Sequence, residues 1–255
     1  MDLSKLAQRA ATELRDRAQD AISELQQMAE ARMAAEPVGG KPEPVSSKVL
    51  VIIFNPRIRS EANRKLSEVM GWNNPDALIP KYIADMTECS HGYVHYQVVE
   101  RIEVDRFPVK SDGFAYDGDG FVKALRAKTG FHEPDAVDYH RILADFHIID
   151  KVNSGAIDEI WLFAFPYAGF YESIMGGPGA FWCNAPALDK TESAKRRFVI
   201  MGYNYQRGVG EMIENLGHRA ESIMKHVFRN KKGDDNLWER FARYDERYSF
   251  NTWLY

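Results

Sequence analysis

The chain has 255 residues, 45% hydrophobic and 27% charged, enough for one sizeable core with an appendage. Its formal net charge is −4 and its pI about 6.0, so no broad basic field exists to hold nucleic acid. The two cysteines, Cys89 and Cys183, stand far apart and form no Cys-x-x-Cys pair, which argues against a disulfide-built scaffold or a structural zinc site.

From the start of the chain, Leu3, Ala7, Ala10, Leu14, Ala18, Ile22, Leu25 and Met28 recur at helical spacing among strong helix formers. They predict an amphipathic helix. It either packs on its own body or serves as a docking, oligomerisation or export-recognition helix for a protein partner through residues 2–35. The run from Glu36 to Ser47 is rich in Pro, Gly and Ser and reads as a linker. The division is therefore helix 1–36, linker 37–47 and body 48–255. Met1-Asp-Leu-Ser-Lys lacks the apolar core of a secretory signal. No apolar run approaches the roughly 20 residues that span a bilayer. The expected place is the cytoplasm, or outside the cell by a route without a classical signal peptide.

The body opens with Lys48-Val-Leu-Val-Ile-Ile-Phe54, a β-branched run suited to a strand buried on both faces. A helix is predicted from Ser60 to Met70, with Ser60 as its N-cap, and another from Asp76 to Glu88. Tyr93–Val104 reads as a strand and the glycine-rich Phe107–Gly120 as a loop. Phe121–Lys128 and Asp138–Asn153 read as helices. Ile157–Phe165 is a strong strand, followed by a loop from Pro166 to Asn184, then a strand over Arg197–Tyr203 and a helix over Gly208–Phe228. Strands alternating with helices predict an α/β fold: a mostly parallel sheet with helices on both faces, preceded by the tethered N-terminal helix. Asp234–Tyr255 carries seven aromatic residues that should pack on the body or on a partner.

Ligands in such sheets sit beyond the carboxyl ends of the strands, and here two strand ends run into a chemistry-bearing segment. The Pro166–Asn184 loop supplies Tyr167, Tyr171 and Trp182 as flat walls around one carboxylate, Glu172. Burial among rings would raise its pKa and suit it to general acid or base work. The other reading is a folded-back loop that completes the core. After the next strand, Asn204 and Arg207 can hold an anionic or carbonyl group. On the following helix, Val209, Met212, Ile213, Leu216, Ala220, Ile223, Met224 and Val227 form an apolar stripe. Glu211, Glu214, His218 and Glu221 share another face. Glu211, His218 and Glu221 are candidate ligands for a divalent transition metal, with His218 a second catalytic candidate; the alternative is a solvated face. Cys183 with His218 would make a thiolate–imidazole pair. Asp117-Gly-Asp119-Gly lacks the other ligand positions of a calcium loop. No His-Glu-x-x-His, Gly-x-Ser-x-Gly or phosphate-binding Gly-x-x-x-x-Gly-Lys occurs.

The segments Gly169-Phe-Tyr-Glu-Ser173, Gly177-Pro-Gly-Ala-Phe-Trp-Cys-Asn184 and Gly217-His-Arg-Ala-Glu-Ser222 resemble those of an uncharacterised bacterial family. The resemblance spans roughly Lys48 to Phe228 and implies no activity, cofactor or catalytic residue. It also implies relatives that continue beyond Ser249–Tyr255. The expected function is a hydrolase-like enzyme, metal-dependent if the three ligands converge, acting on a small polar ligand such as a glycan or peptide. The alternatives are a non-catalytic binding module and an exported effector addressed by its N-terminal helix.

Overall fold

The structure is a computed structural model that describes residues 43–242. The predicted helix of residues 1–36, most of the linker, and the aromatic residues from Tyr244 on lie outside the described residues. The described residues from Pro44 on belong to one compact unit.

The strands are β1 (Val45–Phe54), β2 (Arg57–Ile58), β3 (Arg64–Lys65), β4 (Val94–Val104), β5 (Glu159–Ala164), β6 (Ser173–Gly176) and β7 (Phe198–Asn204). The helices are α1 (Leu66–Met70), α2 (Pro75–Cys89), α3 (Gly118–Ala127), α4 (Tyr139–Asp145), α5 (Ile148–Asn153), α6 (Val209–Val227) and α7 (Leu237–Ala242). The main sheet has the order β4-β1-β5-β7-β6. The first four of these run parallel, and β6 is antiparallel to β7. The parallel strands thus lie in the order second, first, third, fourth, as in a doubly wound sheet. Asn55, Pro166 and Asn204 follow or end neighbouring strands at one edge, as the three apolar runs predict.

β1 and β5 are central, and Val49–Phe54 and Glu159–Ala164 are buried on both faces. Side chains alternate between the faces. On one face Tyr82 of α2 meets Trp161, with ring centroids 5.1 Å apart. On the other, Phe54 meets Phe146 just past α4, at 6.2 Å. Glu159 shares the Trp161 face, and there it is 3% exposed and pairs with Arg219 of α6 at 2.7 Å. So α2 and α6 cover one side and α4 the other. At the edge strand β4 the pairing with β1 slips beside Val99, which is left as a bulge residue and is exposed. That slip places the adjacent Val98 and Val99 where a regular alternation would not.

Four local expectations are corrected. β1 begins at Val45, so residues 45–47 belong to the sheet and not to the linker. The helix predicted from Ser60 starts only at Leu66, because Ala62 and Asn63 adopt left-handed backbone (φ 56° each) and Ser60 Oγ donates to Asp119 at 2.5 Å. The helix predicted over Asp138–Asn153 breaks in two at His147, also left-handed (φ 52°). The long loop after β5 hides β6, whose four residues are too few to show an alternating pattern.

A fifth correction concerns the rotation of α6. Its body-facing contacts come from Asn215, Arg219, Ser222 and Phe181-stacked His226. At ~100° per residue from Val209, these lie between about 220° and 280°. The centre of the body-facing side is therefore roughly a quarter turn from the centre of the apolar stripe, although Val209, Met212, Ile213 and Leu216 at the start of the helix still pack on the core. Met212 is the stripe's buried member, while Ala220 and Val227 are exposed.

Candidate active site

The carboxyl ends of β5 and β7 open into a cavity of about 180 Å³. Tyr167, Glu172, Asn204, Arg207 and Glu211 line it, so five of the residues singled out in sequence meet in one place.

The loop after β5 is fixed by backbone contacts that leave little freedom. Tyr167 takes left-handed backbone (φ 62°), uncommon for a bulky side chain. Its carbonyl accepts from the Lys110 ammonium at 2.6 Å. Lys110 is fully buried and also donates to the carbonyl of Asp135 at 3.1 Å and to the Asp135 carboxylate. Val137 N–H donates to the Gly169 carbonyl at 3.1 Å. At Gly169 (φ 85°) a Cβ would lie 1.8 Å from the Asp135 carbonyl oxygen, so only glycine allows the two segments to cross. The Tyr167 ring stacks on Phe131 at 3.5 Å between centroids.

Glu172 sits where the loop turns into β6. Its carbonyl accepts from Gly202 N–H at 3.1 Å, which seats the residue on the end of β7. Gly202 is needed there too: a Cβ would meet the Tyr171 carbonyl oxygen at 2.3 Å. The Glu172 carboxylate accepts from the Asn184 side-chain amide. Asn184 is in turn held by α6, its N–H donating to Ser222 Oγ at 3.2 Å.

After β7, the Asn204 side-chain carbonyl accepts from Gln206 N–H at 3.0 Å, shaping the turn into α6. The Arg207 backbone is anchored through its carbonyl, which accepts from Asn73 at 3.0 Å. Its guanidinium has no ion-pair partner among the described residues and lines the cavity. Glu211 closes the start of α6, its carboxylate accepting from Gly208 N–H at 3.0 Å, where the helix dipole favours negative charge. The cavity wall thus carries three carboxylates, Asp135, Glu172 and Glu211, and one guanidinium.

The other sequence candidates lie elsewhere. Tyr171 does not line the cavity; its ring stacks on Tyr139, whose hydroxyl accepts from Tyr171 N–H at 2.8 Å. Trp182 borders a separate hollow with Phe181 and Lys225. His218 stands outside the cavity, half-exposed, and pairs with Glu221 at 3.4 Å and Glu214 at 3.9 Å along its own helix. Glu211 and His218 are seven residues apart, a rise of about 10.5 Å along the axis. Among the described residues no group of three or more His, Cys, Asp or Glu comes together to hold a metal. The structure therefore does not gather Glu211, His218 and Glu221 into one centre, and it leaves His218 outside the cavity that Glu172 lines. Cys183 is buried, with its thiol 3.6 Å from Ser173 Oγ, and burial pushes its pKa up. The thiol's contact is with Ser173 and the His218 imidazole's with Glu221, so the two are not brought together as a Cys–His pair.

Sequence reasoning missed Lys110, Asp135 and Asn215. Lys110 and Asp135 lie in irregular chain without periodicity. Asn215, whose amide donates to the Gly202 carbonyl at 2.9 Å, was hidden by taking the apolar stripe as the packed face of α6.

No family model, curated protein or solved structure matches the chain. Among the described residues no helix is long and apolar enough to cross a membrane.

Proposed function

We propose that the cavity binds a small polar ligand, a sugar or a peptide end, and that the protein is a hydrolase-like enzyme with Glu172 as its acid–base group. One observation carries this reading: Glu172 shares a cavity at the strand carboxyl ends with Asn204 and with Arg207, which has no ion-pair partner among the described residues. The donor from Asn184 fixes the carboxylate's orientation, as an acid–base group requires. In the reaction, Glu172 takes a proton from an attacking water as the scissile bond breaks and returns it to the leaving group. Arg207 balances charge that develops on the substrate oxygen. The donor geometry around Glu211 and His218 gives a metal no part in this reading.

A second reading, a non-catalytic binding module, is favoured by Tyr167, which lines the cavity beside the polar groups with its ring stacked on Phe131. Screening the full chain against glycan and peptide panels, with thermal shift for binding and product release for turnover, separates the two. Turnover that Glu172→Gln removes supports the enzyme. Binding without turnover, in wild type and variant alike, leaves the module.

A further inference from the structure

A second hollow, of about 320 Å³, lies on a different part of the surface and shares no lining residue with the cavity above. It is lined by Phe181, Trp182, Ser222, Lys225, His226 and Arg229, with no carboxylate among them. In a chain of net charge −4 this is a local concentration of positive charge. Trp182 is 62% exposed, a large flat apolar surface left in water beside two cations.

The surrounding contacts make the hollow a fixed structure. His226 stacks flat on Phe181, with centroids 3.7 Å apart and planes 6° from parallel. The Arg197 guanidinium lies 5.6 Å from the centre of the Phe181 ring and adds a third cation. Desolvation, with Arg229 and Arg197 adding to it, holds His226 below its usual pKa, so the imidazole is biased toward its neutral form. Ser222 Oγ accepts from Asn184 N–H at 3.2 Å, which leaves its hydroxyl hydrogen free to donate. Arg229 Nη1 donates to the His226 carbonyl at 2.6 Å, fixing that guanidinium at the helix end. Lys225 has no ion-pair partner among the described residues.

The helix dipole accounts for cations in the last turn of α6. It does not account for Arg197, which precedes β7, or for an exposed indole lining the same hollow. We infer that this hollow binds an anionic group carried on a ring with an apolar face, the ring lying on Trp182 and the anion between Lys225 and Arg229. Charge alone would attract any anion. The indole makes the site selective for one on a ring, since stacking adds to the ionic attraction. Nucleoside phosphates and sugar acids share this chemistry.

Calorimetric titration of the full chain with adenosine monophosphate, glucuronate, adenosine and inorganic phosphate tests the inference. At least one of the two ring anions binds with a Kd near or below about 1 mM, and adenosine and inorganic phosphate bind about tenfold more weakly or not at all. Which ring anion binds identifies the source. Lys225→Glu, on an exposed side chain, lowers that affinity about tenfold or more, and Trp182→Ala does the same without changing the melting temperature. The inference is overturned if neither ring anion binds. It is equally overturned if inorganic phosphate binds as tightly as both, or if Lys225→Glu and Trp182→Ala leave the affinity unchanged. Because no residue is shared with the Glu172 cavity, either outcome leaves the proposed activity standing or falling by itself.

Discussion

The ammonium of Lys110 donates to the carbonyl of Tyr167 at 2.6 Å from a fully buried position. Its other contacts are the carbonyl and carboxylate of Asp135, so the three donors of one lysine tie together two segments that border the cavity. With its protons committed in this way Lys110 is a clip and not a nucleophile.

Lys110→Met therefore leaves two carbonyls without their donor and frees the left-handed Tyr167. The expected loss is about 2–4 kcal/mol in urea unfolding, somewhat below that of a fully buried ion pair because Asp135 keeps contact with water. Ligand affinity should fall more than the folded fraction does. A variant of wild-type stability would show that the loop is held by other contacts.

Two glycines make opposite predictions. At Gly202 a Cβ would lie 2.3 Å from the Tyr171 carbonyl oxygen and 2.8 Å from Phe170 Cβ. Gly202→Ala should cost about 2–3 kcal/mol by forcing the loop off β7. At Gly217, exposed in the middle of α6, a Cβ meets nothing within 4 Å. Gly217→Ala should stabilise by about 0.5–1 kcal/mol through helix propensity. Paired thermal melts read both signs, and equal effects would sink the account of how the loop is seated.

Much of this architecture was legible in the chain. Val49–Phe54, Ile157–Phe165 and Phe198–Tyr203 are long apolar runs, and burial on both faces of a parallel sheet leaves that mark in sequence. Their polar or proline ends placed Asn204 and the Glu172 loop at one edge. What stayed hidden depends on rotation and on long-range contact. The apolar stripe of α6 gave a face but not the direction in which it points, and α6 turns Arg219 inward because Glu159 offers a buried carboxylate. Lys110 and Asp135 are brought to the site by a crossing of two irregular segments, for which local pattern has no sign. His218 looked like a ligand because helical spacing ignores how far apart side chains stand along the axis.

Cys183 and Cys89 should separate cleanly in thiol labelling. Cys89 is exposed and Cys183 buried, and burial pushes the Cys183 thiol up, which lowers its thiolate fraction at neutral pH. A disulfide reagent at about pH 8 should modify one thiol quickly and the second only on unfolding. Two fast thiols would return Cys183 to consideration as a nucleophile.

Arg219→Met would strand Glu159, which is 3% exposed and holds Trp161 Nε1 at 2.7 Å. Removing one partner of a buried ion pair costs about 3–5 kcal/mol. The double variant Glu159→Gln with Arg219→Met should lose clearly less than the sum of the single changes, because no buried charge is then left alone. Additive losses would mean that the two side chains act independently.

Glu172→Gln is the decisive change for the proposed activity. Glutamine keeps the shape and an oxygen that can still accept from Asn184, and the backbone bond from Gly202 is untouched. Stability should therefore hold within about 1 kcal/mol, while turnover falls by about 10²–10⁴-fold, the usual contribution of a general acid or base. His218→Ala is the companion. His218 stands outside the cavity, so both turnover and metal content should match wild type. If Gln instead lowers stability by roughly 2–3 kcal/mol and function follows the folded fraction, Glu172 is a hydrogen-bond hub that joins β6, β7 and α6. In that case Tyr167 and Arg207 would define a binding site without chemistry.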